Sequence, residues 1–102
     1  MSTQVSITSG RKVVSVTGTA VPLSTTAEWI CGLDVTALSG NAGDIYIGDS
    51  TVLNSGSVVG TPEDARDFHS MGIPTNRSLN LATVYINGAA GDGVTFNYFK
   101  EV

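Results

Sequence analysis

Short alternating segments recur along this chain roughly every ten residues, and Gly, Ser, Asn or Asp closes each one. Successive side chains of a strand point to opposite faces, so a period of two marks a half-buried strand. No stretch carries a long helical period. The pattern predicts an all-β chain: an antiparallel β-sandwich, jelly-roll-like, of about seven or eight strands with at most one short helix. With 102 residues it suits one domain over 1–102.

Gln4-Val5-Ser6-Ile7-Thr8 reads as a strand and Ser9-Gly10 as its turn. Val13-Val14-Ser15-Val16-Thr17 is rich in β-branched residues, which fit a pleated surface. Pro22 cannot donate to a ladder, so residues 20–24 form an edge or a connection. Residues 28–38 make the longest strand, with Trp29, Cys31, Leu33, Val35 and Ala37 on one face and Asp34 and Thr36 on the other. Residues 39–43 are a turn and 44–48 a strand. Residues 51–53 and 57–59 read as a small hairpin around Asn54-Ser55-Gly56. Thr61 and Pro62 are a helix start, which Gly72 and Pro74 confine to the stretch near 62–68.

The last third points to a terminal hairpin. Thr83-Val84-Tyr85-Ile86-Asn87 and Val94-Thr95-Phe96-Asn97-Tyr98-Phe99 alternate on either side of Gly88-Ala89-Ala90-Gly91-Asp92-Gly93. Asp-Gly between alternating segments is a strong hairpin signal. Ile45-Tyr46-Ile47-Gly48 echoes Val84-Tyr85-Ile86-Asn87-Gly88, with aliphatics inward and tyrosine outward. The expected core is Leu33, Val35, Ile45, Ile47, Val84, Ile86, Val94 and Phe96, with Trp29 within it or at its margin.

Composition excludes several classes. The chain is 41% hydrophobic but 14% charged, against about 25% charged in an average soluble domain. Ser, Thr, Asn and Gly must then cover its surface, as in proteins packed against neighbours. A net charge of −4, with Arg11-Lys12 the sole adjacent basic pair, argues against nucleic acid. No run of 18 apolar residues is present to span a membrane. Met1-Ser2-Thr3-Gln4 lacks the features of a secretory signal, and the single cysteine leaves no intrachain disulfide. The expectation is synthesis in a reducing cytoplasm.

No residue set looks catalytic, and no cofactor is expected. His69 is the sole histidine and reads as a surface or interface residue rather than a base. Cys31 reads as a buried structural thiol, and one His and one Cys do not make a zinc site. Asp44, Asp49 and Asp92 flank turns without a calcium-loop spacing; the expectation is that they cap those turns. Residues 88–93 lack the Lys-Ser/Thr ending of a phosphate loop. Tyr46 and Tyr85 are candidates for stacking on sugar rings; Trp29 is the other candidate, with the core as the favoured reading for it.

Thr17-Gly18-Thr19-Ala20-Val21-Pro22-Leu23-Ser24, Val35-Thr36-Ala37-Leu38 and Asn41-Ala42-Gly43-Asp44-Ile45-Tyr46-Ile47-Gly48, with Val84-Tyr85-Ile86-Asn87-Gly88 and Gly91-Asp92-Gly93-Val94-Thr95-Phe96, resemble small structural proteins of tailed bacteriophages. The resemblance implies a non-enzymatic virion component assembled in the host cytoplasm. It implies a capsid decoration protein that binds the major capsid protein or other virion subunits, as a homo-oligomer. The rivals are a sugar-binding module of a tail or fibre, and a head–tail joining or tail protein. Residues 61–77 depart from the pattern by being longer and more charged, and read as a contact loop. Two interface segments are expected. Residues 2–11, with Val5, Ile7 and Arg11, offer a strand to a neighbour. Residues 61–77 mix Asp64, Arg66 and Asp67 with Phe68, His69 and Met71, an apolar contact with a charged rim.

Overall fold

The computed structural model describes residues 4–52 and 77–101, and the backbone of 57–60 and 68–71. Ten strands lie within them: β1 (Val5–Val13), β2 (Val21–Pro22), β3 (Trp29–Ile30), β4 (Gly32–Ala37), β5 (Ile45–Gly48), β6 (Ser57–Gly60), β7 (Phe68–Met71), β8 (Leu79–Asn80), β9 (Tyr85–Asn87) and β10 (Gly93–Glu101).

Their pairing is nested. β5 pairs with β6, β4 with β7, β3 with β8, β2 with β9 and β1 with β10, all antiparallel. The chain thus folds back on itself as one long hairpin, turning between β5 and β6. Two further antiparallel ladders, β10 with β4 and β9 with β5, roll that hairpin up. The products are sheets ordered β1-β10-β4-β7 and β2-β9-β5-β6, plus the short β3-β8 ladder. This is the jelly-roll form of a β-sandwich.

The core lies between the sheets. All eight residues expected there are buried, joined by Val14, Leu23, Ile30, Ala37 and Leu81. The tyrosine echo is real in space: β5 and β9 are neighbours, with Ile47 opposite Ile86. Ile45, Ile47, Val84 and Ile86 face in, and Tyr46 and Tyr85 are half-exposed.

The terminal hairpin does not form. β9 lies in the second sheet and β10 in the first, so residues 88–92 cross between sheets. Long-range bonds decide this. The buried Asp92 carboxylate accepts from the N–H of Ala42 (2.8 Å) and Gly43 (3.0 Å). Val14 N–H donates to Asp92 O, and Gly91, at φ +93°, donates to Val14 O. A Cβ on Gly93 would stand 2.2 Å from Lys12 O. Asp-Gly here serves a tight crossing rather than a local turn.

Other local readings also yield to packing. Ser9-Gly10 is not a turn; β1 runs through it because Gly10 accommodates the Phe96 ring, whose Cζ would lie 2.5 Å from a Cβ there. The small hairpin expected over 51–59 lies partly outside the described residues, at 53–56; within them β6 pairs with β5, and Thr51 sits in a turn held by Asp49. The long strand over 28–38 breaks at Cys31. Its N–H donates to Phe99 O (2.8 Å) while Gly32 stands opposite Phe99, a bulge that shifts the alternation by one residue. Ile30 is therefore buried, and Trp29, expected in the core, is 60% exposed. Cys31 is half-buried, its Sγ–H also donating to Phe99 O.

The helical turn among the described residues is a 3-10 helix, Leu81–Thr83, capped by Asn80. The helix expected near 62–68 falls on residues 61–67, outside the described ones. Phe68, its expected end, opens strand β7.

Candidate functional site: a free strand edge

β1 is an outermost strand of its sheet and turns its apolar side chains away from the core. Register with β10 puts Val5, Ile7, Ser9 and Arg11 on the face shared with Glu101, Phe99, Asn97 and Thr95. The core face receives Ser6, Thr8, Gly10 and Lys12, beside Lys100, Tyr98, Phe96 and Val94. The apolar half of β1 thus points away from the core: Val5 is 54% and Ile7 61% exposed. Phe99 lies opposite Ile7 and rests on Gly32, where a Cβ would come within 2.7 Å of its ring. Ser9 Oγ donates to Asn97 Oδ1 on the same face (2.6 Å).

The backbone phase of this edge follows from the bonds beyond it. Gly93 O and Phe99 O accept from Leu38 and Cys31, on the β4 side. Odd residues of β10 therefore serve β4, and even ones serve β1, bonding its even residues. Val5, Ile7, Ser9 and Arg11 turn their N–H and C=O outward. Among the described residues no strand meets them. An unpaired edge of this length is a template for another strand.

Residues 4–9 are exposed on both faces. The β10–β4 ladder ends at Phe99, so among the described residues only Val5 and Ser6, with Lys100 and Glu101, make a short two-stranded end. Its core side is braced where the Lys100 ammonium donates to Glu28 Oε1. That hydrogen bond, and then the Glu28 charge, raise the Lys100 pKa above the ordinary lysine value.

Among the described residues the two expected interface segments lie on opposite edges of one sheet. Phe68, His69 and Met71 belong to β7, opposite Thr36, Val35 and Leu33 on the far edge of the same sheet. Asp64, Arg66 and Asp67 lie outside the described residues. Tyr46 and Tyr85 are on the other sheet, where Tyr46 faces Asn87 and Tyr85 faces Gly48 across adjoining strands. Sequence reasoning missed Phe99 as an outward-facing aromatic, and favoured the core for Trp29, its other sugar-stacking candidate. Trp29 overlooks an open concavity of about 440 Å³ lined with Ile30, Cys31, Arg77, Ser78 and Glu101. Alternation alone turns Phe99 outward once Phe96 is placed inside; unbroken alternation set Trp29 on the face of Leu33 and Val35, and the bulge at Cys31 turns it out.

Asp49 caps its own turn as expected, whereas Asp92 reaches across to a distant one. Asp49 Oδ1 accepts from Thr51 Oγ1 (2.6 Å) and Thr51 N–H (2.9 Å), which lowers its pKa in that order. Asp92 holds the 41–43 turn. Among the described residues no three His, Cys, Asp or Glu side chains cluster as metal ligands, and no helix is long and apolar enough to cross a membrane. The chain is thus a jelly-roll sandwich with a long, partly apolar strand edge that no strand among the described residues pairs. Comparison with protein-family models, curated proteins and solved structures finds no match to it.

Proposed function

We infer that this chain is a non-catalytic structural subunit of a bacteriophage particle, a capsid decoration protein that binds neighbouring subunits through the edge of β1. The observation that carries the reading is that edge: outward backbone groups over Val5–Arg11, with Val5 and Ile7 largely exposed beside them. An added strand takes affinity from the backbone bonds and specificity from alternate side chains. Many weak contacts on one particle act at high effective concentration. Jelly rolls recur in viral coats, and the low charge of the surface suits a packed neighbour.

The test is co-sedimentation with particles of the phage that encodes the chain, with electron microscopy to locate it on capsid, neck or tail. Ile7→Lys places a charge on the edge and abolishes attachment. Tyr46→Ala with Tyr85→Ala leaves attachment intact. Attachment by the lysine variant, or a position on the tail alone, refutes the decoration reading.

Sugar binding has one observation in its favour, and it is not the tyrosines. Trp29 exposes its ring beside Arg77 and Glu101, a flat apolar surface next to hydrogen-bonding groups. Glycan-array binding that Trp29→Ala removes supports that second reading.

A further inference from the structure

We propose that β1 pairs antiparallel with β1 of a second copy of this chain, about a two-fold axis at Thr8, to make one continuous eight-stranded sheet. The inference rests on β1 being an adhesive edge and names its occupant.

An isologous contact requires a strand to match its own reverse. The outward-turned residues of β1 are odd-numbered, so a two-fold at Thr8 matches them with one another: Val5 with the partner's Arg11, and Ile7 with the partner's Ser9. Every outward N–H and C=O from Val5 to Arg11 then finds a partner. Charge selects this axis over its neighbours. Val5 already stands between the free edge and Glu101, so the row across the joined sheet reads Glu101, Val5, the partner's Arg11, all on one face. Both Arg11 and Glu101 are exposed, long enough to meet over a valine, and symmetry supplies the row twice. A two-fold at Ser9 instead sets the partner's Arg11 beside Ile7 and Phe99. The Thr8 axis also places Ile7 diagonal to the partner's Ile7, within side-chain reach. Phe99, Ile7 and their two counterparts become one apolar stripe across the joined edges, covering β1 residues that are exposed in the single chain.

Edge pairing alone buries a small interface, so the dimer is expected in the micromolar class. Sedimentation velocity from about 5 to 500 µM, spanning that class, should show monomer passing to dimer. Ile7→Pro removes an outward N–H without touching the β10 ladder and should stay monomeric with an unchanged circular dichroism spectrum. Ile7→Lys, should the proline variant misfold, should do the same. Arg11→Glu should weaken the dimer severalfold, and Glu101→Arg added to it should restore it. In a Cys31→Ser background, Thr8→Cys should oxidise to a disulfide dimer, because opposed residues that do not exchange hydrogen bonds sit about 4.5 Å apart. Ser6→Cys, which faces the partner's Gly10, should not. A chain monomeric at the highest concentration overturns the proposal, and attachment to particles by that monomer leaves the function above standing. Crosslinking at Ser6 in preference to Thr8 overturns the register.

Discussion

The Asn41 side chain and the Gly93 peptide bond each other in both directions. Asn41 Nδ2 donates to Gly93 O at 3.0 Å, and Gly93 N–H donates to Asn41 Oδ1 at 2.8 Å. Both residues are buried. The pair joins the two places where the chain crosses between sheets, β4 to β5 and β9 to β10, and Asp92 adds two bonds beside it. Asn41→Ala strands the buried Gly93 N–H, while Gly93 O keeps its bond from Leu38 N–H, and is expected to cost about 1–3 kcal/mol. Urea denaturation measures it; a loss under about half a kcal/mol means that water or a shifted backbone replaces the amide.

Glycines separate by what surrounds them. Gly93→Ala drives a methyl into Lys12 O and should destabilise by at least about 2 kcal/mol. Gly40→Ala and Gly43→Ala meet nothing within 4 Å and should stay within about half a kcal/mol. Thermal melts of the three variants check the contrast.

Ile47→Ala and Phe96→Ala should each cost about 2–5 kcal/mol, since both side chains are buried between the sheets. Phe96→Ala carries a second consequence: it removes the ring that Gly10 accommodates and frees β1 to fray. Amide exchange should then accelerate over β1 more than over β5.

Trp29, the sole tryptophan, reports its own position. At 60% exposure its fluorescence should resemble that of free tryptophan and be readily quenched by acrylamide. A blue-shifted, protected emission would put it back in the core.

Asp49 titrates below the ordinary aspartate value because Thr51 bonds its ionised form through hydroxyl and N–H. A depressed carboxyl pKa contributes stability above the unfolded value, lost as pH falls through the folded one. Carbon-13 titration should show the depression in the native chain and its partial relief in Thr51→Val. An unchanged Asp49 titration in that variant would remove the hydroxyl as the cause.

Alternation is a local property, and whatever depended on it was readable before any fold. Leu33 and Val35, Ile45 and Ile47, Val84 and Ile86, Val94 and Phe96 announce their buried faces because a pleated strand repeats every two residues. Asp49 and Asp92 likewise announce turns. Partners were not readable, because each strand pairs with its mirror position along a rolled hairpin, so β1 finds β10 at the other end of the chain. Asp92-Gly93 has the same local chemistry in a hairpin as in a sheet crossing, and Asn41 and Lys12 decide between them from far away. The bulge at Cys31 cannot be inferred from Trp29 or Leu33, yet it turns one out of the core and leaves the other in. Val5 and Ile7 alternate equally well for either face of β1. Only the Phe96 ring over Gly10 makes the other face the inner one, and so leaves the apolar edge in water.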